Sequence, residues 1–258
     1  MTEQTRPSGS SRALGDDTLV FLHLPKTGGT SLRTSLQRAF DPAATALIYP
    51  ADDLDGAMTR EQFAALSTEE LERLRLVMGH VSYGVHRRLP RPCRYATIVR
   101  EPVDRIVSLY YHYRNLPGVR FMSKGHRERL RLRLRRVSLE DWVFSERRIP
   151  ADNLMVRNIT GAKGIAFGAC TEALFEQAME HIERDFVAIA VTEDMGRSTA
   201  LLEAVVGRPL ATVGRENVNP KRPLLEDVDP AVLERVRDLN EFDVRLYEEA
   251  KRRLEAYQ

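Results

Sequence analysis

Cysteine is scarce in this chain: 258 residues carry two, Cys93 and Cys170, far apart in the sequence. That excludes a disulfide framework and fits reduced thiols in a reducing compartment, with a single bridge between the two left open. There is no Cys-x-x-Cys, no His-Glu-x-x-His and no clustered carboxylate pair, so no metal site is expected. No stretch approaches the ~20 apolar residues of a membrane span. Charge of one sign is also missing. Lys and Arg number 39 against 37 Asp and Glu, a net +2 that gives no argument for nucleic acid or a membrane surface. Nor is there a Walker A loop: the lysine of the one candidate turn precedes its glycines, which disfavours an ordinary P-loop NTPase.

What is present fits a single α/β domain. Content is 43% hydrophobic and 29% charged, enough apolar residues for a full core. Residues 1–17, polar and rich in Ser, Gly and Arg, read as a disordered leader to a domain over 18–258. Short apolar runs predict strands near 18–24, 74–79, 94–100 and 186–191, alternating with helices, hence a central parallel sheet flanked by helices. Residues 41–73 read as a polar loop with one or two short helices, Ser67 and Glu70 forming a capping box. Trp142 is expected in the core.

Two strand-turn-helix units carry the chemistry. In the first, the run through Phe21-Leu-His-Leu24 breaks at Pro25 into Lys-Thr-Gly-Gly-Thr-Ser, residues 26–31, and a helix follows to Phe40. Glycines that let backbone N–H groups approach, a lysine and a helix N-terminus make an anion cradle; a plain strand-to-helix connection is the alternative. In the second, Tyr95 to Arg100 is followed by Glu-Pro-Val-Asp-Arg-Ile-Val-Ser108, where the period turns helical. Arg100 stands at the strand's C-terminal edge, and Arg105 and Ser108 share a helix face, a set suited to a second phosphate. Between the units His80, an imidazole titrating near neutral pH, follows a short apolar strand and is the candidate base, or else a hydrogen-bonded histidine at a strand end.

The two units, in this order and context, resemble the sulfotransferases that use 3′-phosphoadenosine 5′-phosphosulfate (PAPS). Gly-His-Val-Ser-Tyr at 79–83, ahead of the arginine and serine segment, brings the resemblance to the carbohydrate, Golgi-type branch and its uronyl 2-O-sulfotransferases. It is good over roughly residues 18 to 114 and loose beyond. The resemblance implies a P-loop-NTPase-like sulfotransferase fold. It further implies that Lys26, Thr27, Gly28, Gly29, Thr30 and Ser31 hold the 5′-phosphosulfate, with Lys26 also stabilising the leaving phosphate. Arg100 and Ser108 would hold the 3′-phosphate and His80 would act as base, without a metal. The uronyl enzymes have a second histidine before this Gly-His; here Met78 stands there. Their membrane anchor has no counterpart, so a soluble, cytoplasmic, bacterial enzyme is expected.

Three further segments have two readings each. His126 to Arg136 holds six arginines and one acid, Glu128. It is either a solvated basic segment or, by the resemblance, a contact for an anionic carbohydrate through Arg131, Arg133 and Arg135. Asn153 and Arg157, on a helix capped by Asp152 and ending at Gly161, are acceptor or cofactor contacts by the same resemblance, or else a surface pair. The loop 214–223 offers Arg215, Lys221 or Arg222 to the nucleotide by the resemblance, or is an ordinary connection. A structural helix is expected from Pro230 to Tyr257, with Asp229 as N-cap. The function expected is sulfuryl transfer from PAPS to a hydroxyl of a carbohydrate, glycosylated or small-molecule acceptor. Its rivals are an ATP-dependent kinase and a non-catalytic nucleotide-binding protein.

Overall fold

The computed structural model describes residues 13–50, 54, 56–115, 132, 136–210 and 224–257. Among them, five parallel strands form one sheet: β1 (Thr18–Leu22), β2 (Thr45–Ile48), β3 (Leu76–Gly79), β4 (Cys93–Val99) and β5 (Phe186–Val191), in the order β2-β3-β1-β4-β5. Helices cover its faces, so β1 and β3 are buried at every position. This is why they read as unbroken apolar runs rather than alternating ones. The connections are α1 (Gly29–Ala39), α2 (Arg60–Ala64), α3 (Thr68–Glu72), α4 (Pro102–Asn115), α5 (Leu154–Thr160), α6 (Glu172–Asp185) and α7 (Met195–Val206). Two helices close the chain, α8 (Pro230–Leu239) and α9 (Glu241–Glu255).

β2 corrects the expectation of loop and short helices alone over 41–73. It is an edge strand of four residues, half of them only partly buried, too short and too mixed for its pattern to stand out. The Ser67–Glu70 capping box of α3 is present as expected, and Thr59 with Gln62 forms a second one on α2.

The strand order sets the position of a crevice. The chain leaves β1 toward β3 and β2, and leaves β4 toward β5. At the C-terminal ends of the neighbours β1 and β4 the connections therefore diverge, as they do where open α/β sheets bind ligands. Both motif turns, after Leu22 and after Val99, open there.

The C-terminal half departs from the periodic reading at two places. The expected helix 230–257 is broken at Asn240, whose side-chain amide donates to the carbonyls of Ala151 and Val236 while its oxygen accepts from the Asn153 N–H. The α5 N-cap is Asn153, in the left-handed region at φ 43°, and not Asp152. The free N–H groups of Met155 and Val156 are taken by Asp243 of α9 at 3.0 and 2.9 Å. Asp152 is spent on Arg157 instead, at 2.5 Å. A buried polar clamp thus fixes α5 to α9, and side chains some ninety residues apart write its geometry. Trp142, 1% exposed, fills a second core between α4 and α8 with Val103, Ile106, Tyr110 and Val236.

Candidate active site

Parallel register assembles the centre of the site. Leu22 pairs with Gly79, and Gly79 with Ile48, so the next residues of β1, β3 and β2 fall in one row: His23, His80 and Tyr49. Their backbones are tied in sequence, His23 N–H to the Gly79 carbonyl at 3.0 Å and His80 N–H to the Ile48 carbonyl at 2.9 Å. The rings pack on one another, with centroids 5.3 Å apart for His23 and His80 and 4.8 Å for Tyr49 and His80. A 2.6 Å hydrogen bond joins Tyr49 Oη and His23 Nδ1. The sequence reads His23, inside the first strand, as a packed or hydrogen-bonded neighbour of the loop, and it is hydrogen-bonded here; Tyr49 was not foreseen, because β2 was not.

Burial holds both imidazoles neutral. It is the main cause of His23's pKa falling to about 3, with His80, Arg33 and Lys26 adding repulsion. His80 falls to about 4, through burial and then Arg60 and Arg33. A neutral His80 is an acceptor of protons at pH 7. The same shifts tie stability to pH: the unfolded chain protonates His23 below about 6.5, whereas the fold resists it down to about 3, so stability is full above 6.5 and is lost on acidification. Between pH 7 and 4.5 the urea midpoint should fall by the equivalent of about 2 kcal/mol from His23. His23→Asn should flatten that dependence; equal falls in both proteins would count against it.

The loop after β1 is shaped by residues far from it in sequence. Lys26 is a non-glycine residue in the left-handed region, φ 69°, and Gly28 follows at φ 71°. Such a conformation costs a lysine roughly 1 kcal/mol or more and needs outside support. Arg100 Nη1 supplies it by donating to the Lys26 carbonyl at 3.1 Å, and the Thr192 hydroxyl lies 2.5 Å from the Thr27 carbonyl. Because each peptide is planar and trans, carbonyls drawn toward Arg100 and Thr192 turn the N–H groups of Thr27 and Gly28 the other way. A Cβ on Gly28 would meet Thr192 Cγ2 at 2.9 Å, so this position needs glycine for space as well as for φ. α1 begins at Gly29 with no side-chain cap and no acid in its first turn, which leaves its N–H groups for an anion.

Arg100 is half-buried and forms an ion pair with Asp104 through Nε, 2.7 Å, and Nη2. It therefore braces the lysine loop from the β4 side. Ser108 lies two turns on, half-buried, and His112 shares its face of α4. Surrounding chain and then the Lys26 ammonium push the His112 pKa down to about 4, although part of the ring is open to solvent. Thr192 is thus a site residue without a sequence signal of its own.

Other expectations fall elsewhere. Asn153 and Arg157 are 3% and 6% exposed and face neither loop. Asn153 serves the α5–α9 clamp, and Arg157 spends its guanidinium on Asp152 and the carbonyls of Ile165 and Ala166, pinning the following turn. Both act as struts and are buried, which corrects the reading of them as a surface pair. His86 and His181 pack with Tyr95 and Tyr83 beside the start of β4. Arg131, Arg133, Arg135, Arg215, Lys221 and Arg222 lie outside the described residues, as do 1–12 of the leader. Among the described residues no group of three or more His, Cys, Asp or Glu is arranged to hold a metal. No helix among them is long and apolar enough to cross a membrane, and the Cys93 and Cys170 thiols are unpaired.

Among the described residues, then, an all-parallel sheet carries after its central strand a glycine-containing loop that is braced from the next strand and flanked by a neutral histidine. The family follows from the sequence: residues 12–248 match the sulfotransferase family, and the chain belongs to it. Among solved structures, mouse sulfotransferase SULT7A1 complexed with PAP matches with 16% identity over 91% of this chain and 68% of that one, at a TM-score of 0.38. None of the curated proteins matches the chain.

Proposed function

We propose that this sulfotransferase moves a sulfuryl group from PAPS to a hydroxyl on a carbohydrate, glycosylated or small-molecule acceptor. The observation that carries the reading is the placement, at the ends of adjacent strands, of a loop whose Lys26 and Thr27 carbonyls are drawn to Arg100 and Thr192 and of the neutral imidazole of His80. The donor set fits the nucleotide's charged end: N–H groups and an ammonium, with no carboxylate in the first turn of α1. PAPS, when bound, supplies the sulfuryl group and the adenosine 3′,5′-bisphosphate (PAP) that leaves with it.

The chain's own residues do the rest. Lys26 and the N–H groups of residues 26–31 neutralise charge growing on the leaving phosphate, the principal help a protein gives to an in-line transfer. Arg100 and Ser108 hold the 3′-phosphate. His80 Nδ1 or Nε2 takes the acceptor's proton. Burial, and after it Arg60 and Arg33, hold its pKa near 4, and a bound anion would offset the arginines and raise it toward the working range of a base. His23, in the same row, occupies the role of the second histidine that Met78 leaves open, which supports the carbohydrate-type branch.

Transfer of labelled sulfate from PAPS to a panel of hydroxyl acceptors tests the reading. Magnesium-dependent ATP turnover without PAP binding would overturn it. Arg100→Ala should cut the preference for PAP over AMP at least about tenfold, since a charge-assisted contact is lost. Unchanged discrimination would remove Arg100 from the 3′-phosphate.

A further inference from the structure

Two arginines, the half-buried Arg33 and the exposed Arg60, stand near the His80 imidazole. Arg33 comes from α1 and sets its guanidinium 5.9 Å from the centre of the Tyr49 ring, itself 4.8 Å from His80. Arg33 Nε is buried without a hydrogen-bond partner, and among the described residues no carboxylate pairs with this side chain. Arg60, the first residue of α2, donates to the His80 carbonyl at 2.5 Å. The charges felt by His80 are those of these two arginines, and those felt by His23 are His80, Arg33 and Lys26; no acid is among them.

A partly buried guanidinium with an orphaned N–H is costly unless something completes it. Arginine's planar fork suits a carboxylate or a sulfate. Neither arginine supports the lysine loop, which Arg100 and Thr192 hold. We infer that Arg33 and Arg60 form an oxyanion subsite for the acceptor, so that the hydroxyl offered to His80 belongs to a molecule bearing a carboxylate or sulfate beside it. The inference rests on the proposed role of His80, and it moves acceptor recognition from the expected arginines at 131, 133 and 135 to the β1–β3–β2 row.

The test uses the whole chain saturated with PAP, titrated calorimetrically with D-glucuronate, D-glucose 6-sulfate and D-glucose, while NMR follows the His80 imidazole. The expected result is at least about tenfold tighter binding of an anionic sugar than of glucose, the scale of one hydrogen bond to a charged group, together with a rise in the His80 pKa. The tighter of the two anions names the group. Arg33→Gln and Arg60→Gln should each bring the preference to within about twofold, with PAP affinity unchanged, and Arg33→Lys should restore part of it. Equal binding of all three sugars, binding of none, or a preference that survives both substitutions overturns the subsite. Failure of PAP to bind would strike instead at the proposed function.

Discussion

His80→Ala is expected to lower sulfate transfer by about 10³-fold, within the range general-base catalysis contributes, while PAP affinity stays within about twofold. The separation follows from where the side chain sits. His80 stands at the end of β3 and packs against Tyr49 and His23, whereas the groups proposed to take the nucleotide's charge are the loop after β1 and Arg100. Loss of the imidazole removes the proposed proton acceptor and leaves the loop after β1 intact. His80→Gln keeps most of the volume and a polar tip, so it should lose transfer equally while melting closer to the parent protein. Single-turnover measurements with labelled PAPS, beside PAP titrations of the same samples, check the split. Full turnover in His80→Ala would require another base, and His112, whose pKa the Lys26 ammonium helps to lower, would be the next to test.

Gly79→Ala should be the most damaging single methyl in the site. Gly79 has φ 152°, and a Cβ built on it would lie 1.9 Å from the Ile48 carbonyl oxygen and 2.7 Å from its carbon. Those atoms are backbone of the adjacent strand and cannot rotate away. Relief requires β2 and β3 to part, which breaks the His80 N–H to Ile48 bond and scatters the row of His23, His80 and Tyr49. A loss of about 4 kcal/mol or more is expected, with a melting temperature lower by roughly 10 °C and transfer abolished. Gly207→Ala is the matched control. Its φ is 74°, but nothing lies within 4 Å of the added Cβ, so it should cost only about 1 kcal/mol. A Gly79→Ala protein that melts within about 2 °C of the parent would refute the close approach of the two strands.

Gly79 shows how the two levels of information divide. Its place in Gly-His-Val-Ser-Tyr was visible as a resemblance, but the reason for a glycine lies in β2, the one described strand the sequence pattern concealed. Tyr49 was hidden with it. His23 was visible as a histidine inside a strand, with no means of knowing that its neighbour would be His80. Thr192, which shapes the Lys26 loop, stands 165 residues from the carbonyl it approaches. Asn153 and Arg157 invited a functional reading because polar residues on a helix usually face solvent or ligand; here they are consumed by a buried clamp.

Local chemistry alone determined a good deal: the buried parallel strands, from apolar runs that end in turn residues; the strand-turn-helix at 21–40, from a lysine, glycines and a helix start in succession; the helix caps at Ser67 and Asp229; and the family. Each depends on interactions within a few residues, which the order of side chains encodes directly. Tertiary structure decided which strand ends share a row, which carbonyls Arg100 and Thr192 turn outward, and which arginines surround the base. Those depend on the pairing of parallel strands whose connections run through helices, and a register set at such distances leaves no periodic trace in the chain.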